Sequence, residues 1–404
     1  MSRIDELISK LCPDGVEFKA IGEFAELVRG NGMPKSDFTE SGVGCIHYGQ
    51  IYTHYGVWAK ETISFVSPKT AVPLAKVDSG DLIITNTSEN LEDVCKAVAW
   101  LGEKQIVTGG HATVIKHKQD SKYLSCYFRT PEFFAQKKKQ AIGTKVIDVS
   151  AKNLAKIRIP VPPLEVQREI VKVLDTFTQL EAELEAELEA RRRQYQYYRD
   201  ALLTFNEHEM SASKQASKQA SIRLMAMSEI CRINRGRVIS KDYLRDNVGK
   251  YPVYSSQTES NGVFGFIDSF DYDCESITWT TDGANAGSVF YHHDEKFSIT
   301  NVCGLLQVIN PTEVCTKYIY YTLGQEAKEH VSSGMGNPKL MSTTMSRIKI
   351  PVPPLDEQER IVAILDQFDA LVNDISSGLP AELKARRQQY EHYRDRLLTF
   401  RETA

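Results

Sequence analysis

Two groups of residues in the 404-residue chain could hold an anionic or heterocyclic ligand. The first is Arg29, Lys137, Lys138, Lys139 and Lys145; the second is Arg235, Arg237, Gln257, Asn285 and Lys339. Arginine and lysine give charged donors to phosphate oxygens, and glutamine and asparagine present the donor–acceptor pairs that fit base edges. Polar and aromatic stretches accompany them: 47–55 (HYGQIYTHY) in the first group, 254–258 (YSSQT) and 280–287 (TTDGANAG) in the second. A solvated face carries similar charge, so composition alone leaves both readings open.

Signatures of covalent or metal chemistry are missing. There is no GxxxxGK[ST] loop, which argues against ATP-driven work in this chain. An amino-methyltransferase would show an Asn-Pro-Pro-aromatic motif, but both Pro-Pro pairs lie in Val-Pro-Pro-Leu, and Asn337-Pro338-Lys339 lacks the second proline. Asp14 with Glu17 and Lys19 stands too close together for a nuclease carboxylate–lysine set. His292-His293 with Asp294 is better read as a polar turn than a metal site, because the next histidine is His330.

Bulk charge is close to balanced, with 49 Lys and Arg against 53 Asp and Glu and a net charge of −4. Coating nucleic acid or membrane by overall charge is therefore excluded, and any such contact must be local. No apolar run reaches the roughly 18 residues needed to cross a bilayer, and the start lacks a secretion signal's apolar core, so a cytoplasmic protein without membrane contact is expected. The eight cysteines include no Cys-x-x-Cys pair and read as buried thiols.

These residues must be positioned by a duplicated scaffold. Residues 157–205 read IRIPVPPLEVQREIVKVLDTFTQLEAELEAELEARRRQYQYYRDALLTF, and residues 348–400 read IKIPVPPLDEQERIVAILDQFDALVNDISSGLPAELKARRQQYEHYRDRLLTF. The offset is 191 at Asp175 and Asp366 and 195 at Tyr198 and Tyr393, so the second copy carries four extra residues. A fainter repeat aligns AIGEFAELVRG from Ala20 with AMSEICRINRG from Ala226. The chain is a tandem duplication, with a linker at 206–221 (NEHEMSASKQASKQAS) that has no apolar periodicity.

Each repeat begins in an extended proline entry and passes into a helix, with Glu165, Asp356 and Glu357 placing negative charge on its first turn. Ile361, Leu365, Phe368, Val372 and Ile375 step by 4, 3, 4 and 3, and Ile170, Leu174 and Phe177 start the same series, which continues in copy one through Leu184 and Leu188. That is a coiled-coil seam. Copy one predicts helix from about 166 to 204, roughly 55 to 60 Å, whereas Ser376-Ser377-Gly378-Leu379-Pro380 should interrupt copy two. Two like helices in one chain can pair with each other, and an antiparallel pair gives a pseudo-twofold molecule.

Ahead of each repeat lies a head. Short apolar runs at 81–85, 112–115, 276–280 and 304–309 read as strands, and 133–140 and 316–330 as helix, so the heads are mixed α and β. Head one holds 20 basic and 18 acidic residues and head two 12 and 14, and they share almost nothing beyond their edges.

The doubled IPVPPLxxQxxIVxxLDxF and RRxQYxxYRDxLLTF segments, separating two unlike heads of similar size, closely resemble the specificity subunit of type I restriction-modification systems. The 180–190 EAEL tandem is similar to the four-residue repeats of some members' central helices. The resemblance implies an α+β molecule: two mixed α/β target recognition domains separated by two long helices in an antiparallel coiled coil, a pseudo-twofold tandem duplication. The domains would be 1–156, an N-terminal target recognition domain; 157–205, a first helical spacer; 206–221, a linker; 222–347, a C-terminal target recognition domain; and 348–404, a second spacer.

It further implies recognition of an asymmetric bipartite site in double-stranded DNA. The spacers would dock two methyltransferase (modification) subunits, which bring S-adenosylmethionine, and restriction subunits with translocase and nuclease activity would join them. The chain itself would carry no cofactor and do no chemistry. Arg191, Arg192, Arg193, Arg386 and Arg387 could face DNA phosphates, pair with glutamates or meet the methyltransferase. A protein-binding coiled-coil scaffold without DNA specificity fits the helices equally well.

Overall fold

A computed structural model describes residues 3–205, 222–332 and 336–403. The linker expected at 206–221 lies outside the described residues. The chain forms two compact units, one made of residues 1–184 with 383–404 and the other of residues 185–382.

In the first unit a five-stranded sheet runs in the order Glu26–Arg29, Ala112–Lys116, Leu82–Thr85, Ala97–Trp100, Trp58–Ala59. Its pairs are antiparallel except the last. Leu82–Thr85 and Ala97–Trp100 are buried along their whole length, as the runs of apolar residues require of central strands. A second five-stranded sheet and the helices Ser121–Tyr127 and Pro131–Gln140 complete the head.

The second unit has a four-stranded antiparallel sheet in the order Cys231–Arg235, Cys303–Val308, Ser276–Thr280, Val289–His292, a second four-stranded sheet, and the helix Thr316–Glu326. Trp279 is fully buried there and donates from Nε1 to the Leu340 carbonyl at 3.0 Å.

The proline entries form edge ribbons. Phe18–Ala20 pairs antiparallel with Arg158–Pro160, and Arg223–Ala226 with Lys349–Val352, which places Pro160 and Pro351 where a missing amide is tolerated. A long helix follows each ribbon: Leu164–Leu203, 40 residues without a break, and Leu355–Asn373. The latter ends at Asn373, just ahead of the interruption expected at 376–380, and a further helix, Leu379–Leu397, starts inside that segment.

The closing segments of the two repeats enter the cores of different units. Leu398, 1% exposed, joins the first core with Ile21, Tyr127 and Leu174. Leu203, 4% exposed, joins the second with Met227, Tyr318 and Leu365. Within the first unit Phe177 stacks on Tyr393 at 5.2 Å and Glu181 accepts from Arg387 at 2.6 Å. One partner rises in number as the other falls, so these helix segments run antiparallel. Within the second unit Tyr195 and Tyr198 stack on Phe368 at 6.2 and 5.4 Å.

Of the seam residues, Ile170, Leu174, Leu188, Ile361, Leu365 and Val372 are buried, and Phe177, Leu184 and Phe368 half-buried. Ile375 departs from the expectation: the helix ends at Asn373, and its side chain is 80% exposed. Asp374 turns the chain there by accepting from the Ser376 amide and both serine hydroxyls, which withdraws Ile375 from the apolar row.

Candidate nucleic-acid interface

Arg29 and Arg235 occupy the same place in the two heads. Each is the last residue of the first strand of its main sheet, opposite Thr113 and Gly304 respectively, and each is exposed. Each is followed by a glycine that the fold demands. A Cβ on Gly30 would stand 2.0 Å from the Gly109 carbonyl oxygen, and one on Gly236 would stand 2.1 Å from that of Ile299. The Gly30 and Gly236 amides return hydrogen bonds to the Ala112 and Cys303 carbonyls at 2.9 and 3.3 Å. The local sequence Arg-Gly thus delivers a guanidinium to a strand end where the chain crosses its neighbour closely.

Around Arg29 the first head gathers a polar aromatic patch. His111, just ahead of the strand that pairs with Arg29, lies 4.9 Å from the Tyr48 ring and 3.0 Å by Nδ1 from the Thr87 hydroxyl. The Tyr52 hydroxyl donates to the Thr87 carbonyl at 2.5 Å. Thr87–Ser88 pairs antiparallel with Ile147–Asp148, so exposed Lys145, two residues earlier, is carried to the same strand. Lys138 and Lys139 are exposed on the last turn of Pro131–Gln140.

Lys137, one residue away, is turned inward. It is 4% exposed and donates to the carbonyls of Glu92 and Val94 at 2.8 and 2.7 Å. Burial pulls its ammonium below the ordinary lysine range. The helical turn that shows Lys138 and Lys139 to solvent points Lys137 at the core, and its charge holds a loop rather than an outside ligand.

In the second head four loops converge. Arg235 donates to the Asn301 carbonyl at 2.9 Å, and the neighbouring Val302 carbonyl accepts from Thr281. Asn285 donates to the Thr258 hydroxyl at 3.0 Å, next to Gln257, whose amide is held by the Val263 carbonyl. Lys339 bridges to Asp282 at 3.7 Å. Arg235, Gln257, Asn285 and Lys339 are therefore brought to one loop cluster. There Thr281 Oγ1 and Asp282 Oδ1 are buried without a partner among the described residues. Arg237 is committed elsewhere, bound to Asp271 at 2.9 Å and lying 5.1 Å over the Tyr243 ring.

Sequence reasoning missed His111 and Thr87 as members of the first patch. Neither lies in the 47–55 stretch; the strand paired with Arg29 carries His111 there, and Thr87 joins through its bond to His111. Several other titratable groups are built into the structure. Burial pushes the Cys45 thiol up to about 11 and the Cys95, Cys231 and Cys303 thiols up to about 12, which makes them poor nucleophiles. His292 bonds Thr278 at 2.8 Å and Glu295 at 3.2 Å from a buried strand end, and His293 pairs with Asp294 in the turn that follows. Among the described residues no cluster of His, Cys, Asp and Glu has metal-binding geometry. None of the described helices is long and apolar enough to cross a membrane.

Comparison with known proteins agrees with this duplicated arrangement. The model of the type I restriction modification DNA specificity domain matches residues 13–190 and again residues 203–385. A Haemophilus influenzae chain named as a type I restriction enzyme specificity subunit is 30% identical over 410 residues, spanning 95% of this chain and 96% of the relative. A Mycoplasma pneumoniae chain named as a type I specificity subunit is 41% identical over 240 residues, 59% of this chain and 92% of the relative.

Two solved structures share the fold. The type I restriction-modification S subunit from M. genitalium covers 95% of this chain and 96% of its own, at TM-score 0.54 and 17% identity. A chain from a study of complex assembly and conformational transition of the type I R-M system covers 95% and 97%, at TM-score 0.61 and 16% identity. With the family's domain present twice in tandem, each copy ending the first strand of its main sheet on an exposed arginine, this chain belongs to the type I restriction-modification DNA specificity subunits.

Proposed function

We propose that the chain reads an asymmetric, bipartite site in double-stranded DNA, one half-site per head, and does no chemistry itself. The observation that carries this reading is the pair Arg29-Gly30 and Arg235-Gly236: one backbone device, repeated, presents a guanidinium among two different sets of loops. Equal frames with unequal loops suit two unlike half-sites. The contact set is Arg29, Lys138, Lys139 and Lys145 in the first head and Arg235, Gln257, Asn285 and Lys339 in the second, with Lys137 and Arg237 holding loops in place.

Residues 1–156 and 222–347 act as the two target recognition domains, and 157–205 and 348–404 as coiled-coil spacers joined through 206–221. The spacers dock two methyltransferase subunits that supply S-adenosylmethionine, and restriction subunits complete a complex working in the cytoplasm. Half-sites read from one face of the duplex would lie about one helical turn apart, roughly 34 to 36 Å centre to centre. Because the heads are nearly neutral, the chain alone should hold DNA weakly, and affinity should rise once methyltransferase subunits add basic surface.

The test is sequencing of methylated sites in cells carrying this chain with its cognate methyltransferase, beside gel-shift titrations of the chain with and without that subunit. Methylation at one split, non-palindromic motif is the expected result. A palindromic motif, or methylation unaffected by deleting the chain, refutes the proposal.

A further inference from the structure

The duplicated frame contains one more equivalent site, and its two copies differ. In the first unit Lys122 bridges to Asp175 at 2.6 Å and lies 4.6 Å over the Trp58 ring. In the second unit Lys317 bridges to Asp366 at 2.7 Å and lies 5.4 Å over the Tyr291 ring. Around the first pair Trp58, Cys126, Thr178 and Tyr390 close the space to about 10 Å³. Around the second pair, Tyr321 stands at the position equivalent to Cys126 and Asp369 at that of Thr178, and the cavity holds about 910 Å³.

The fold does not require this opening, because the same frame packs shut in the other unit. Its chemistry is specific. The lining carries the carboxylates of Glu295, Asp366, Asp369 and Asp374, the single ammonium of Lys317, and the rings of Tyr291 and Tyr320. Several of these oxygens are already ordered: Asp366 by Lys317, Asp369 by the Asn373 amide at 2.8 Å, and Glu295 by the Tyr254 hydroxyl at 2.8 Å. Each carboxylate keeps accepting capacity, because an ionised carboxyl has about four lone-pair sites. Such a wall repels a phosphate backbone. It attracts guanidinium and ammonium groups, through charge-assisted hydrogen bonds and through the faces of the tyrosine rings.

We propose that this cleft receives an arginine- or lysine-bearing segment of the methyltransferase subunit, an assignment that rests on the docking reading above. The two heads are then unequal partners, since among the described residues the lysine–aspartate site is open in the second unit and closed in the first.

Calorimetry of the full chain with its cognate methyltransferase tests this, comparing wild type with Asp369→Lys and with Thr178→Lys at the equivalent closed site. Asp369→Lys should weaken binding by about tenfold or more, while Thr178→Lys stays within about twofold. Hydrogen exchange on the wild-type complex provides a readout independent of any variant's folding, and protection should appear over 289–295 and 366–374. Undiminished binding by Asp369→Lys without protection overturns the cleft assignment and leaves docking intact; absence of any wild-type binding overturns both. Protection of these segments by a DNA duplex in place of the methyltransferase also overturns it.

Discussion

Gln167 and Gln358 make two equivalent hydrogen bonds, and a third that differs, in their separate units. Gln167 accepts from the Asp120 amide at 2.9 Å and donates to the Pro162 carbonyl at 2.7 Å and to Gln119 at 2.8 Å. Gln358 accepts from the Cys315 amide at 2.9 Å and donates to the Pro353 carbonyl at 2.7 Å and the Glu313 carbonyl at 3.0 Å. Both are fully buried. Asp120 and Cys315 cap the helices Ser121–Tyr127 and Thr316–Glu326, so each glutamine ties a head helix to the first turn of a long helix and to its proline entry.

Replacing either glutamine with leucine should therefore cost about 2 to 4 kcal/mol, because a buried amide and carbonyls lose their partners together. Urea unfolding of Gln358→Leu and Gln167→Leu against wild type is the measurement. A loss below about 1 kcal/mol in both would show that the bonds do not bear on stability.

Arg29→Ala and Arg235→Ala should each weaken specific DNA binding by the assembled complex by about 1 to 3 kcal/mol. Each should relax or abolish only its own half of the motif. Methylated-site sequencing reads this directly. Simultaneous loss of both half-sites in one variant would mean that the arginine acts through folding or assembly.

Changing the number of EAEL units between 180 and 190 should alter the unread gap and leave both half-sites intact. One unit lengthens a helix by about 6 Å, close to two base-pair rises of ~3.4 Å each. An unchanged gap with altered half-sites would exclude the helix as a ruler.

Mild acid should destabilise the chain. Burial pulls the imidazoles of His47, His117 and His292 below the ordinary histidine range, with Glu295 only partly offsetting this at His292. The folded state then takes up protons less readily than the unfolded one, so this stability is complete above about pH 6.5 and declines as pH falls below it. Thermal unfolding at about pH 7.5 and about pH 5.5 should show the lower midpoint in acid, with a smaller difference in His292→Gln. An equal or higher midpoint in acid contradicts the assignment.

Local structure was largely legible. The run at 276–280 is the strand Ser276–Thr280, and the helix expected over 166–204 is Leu164–Leu203, because apolar period and proline punctuation act over a few residues. Direction within a charged run was not. Lys137, Lys138 and Lys139 are identical in sequence, and only the packing of Phe133 and the Glu92–Val94 loop decides which is buried. Arg237 was indistinguishable from Arg235 until Asp271, 34 positions away, claimed its guanidinium. The contrast between a closed and an open lysine–aspartate site was equally hidden, since it depends on Trp58 and Tyr291, which occupy no shared motif.

The exchange of closing segments has a consequence for any shortened version of the molecule. A fragment ending near residue 205 would lack Tyr390, Leu397 and Leu398, which complete its own interior, while carrying Leu203, which completes the other's. Such a fragment is a puzzle piece with both a socket and a plug, and two copies of it should find each other, turning one asymmetric reader into a symmetric pair.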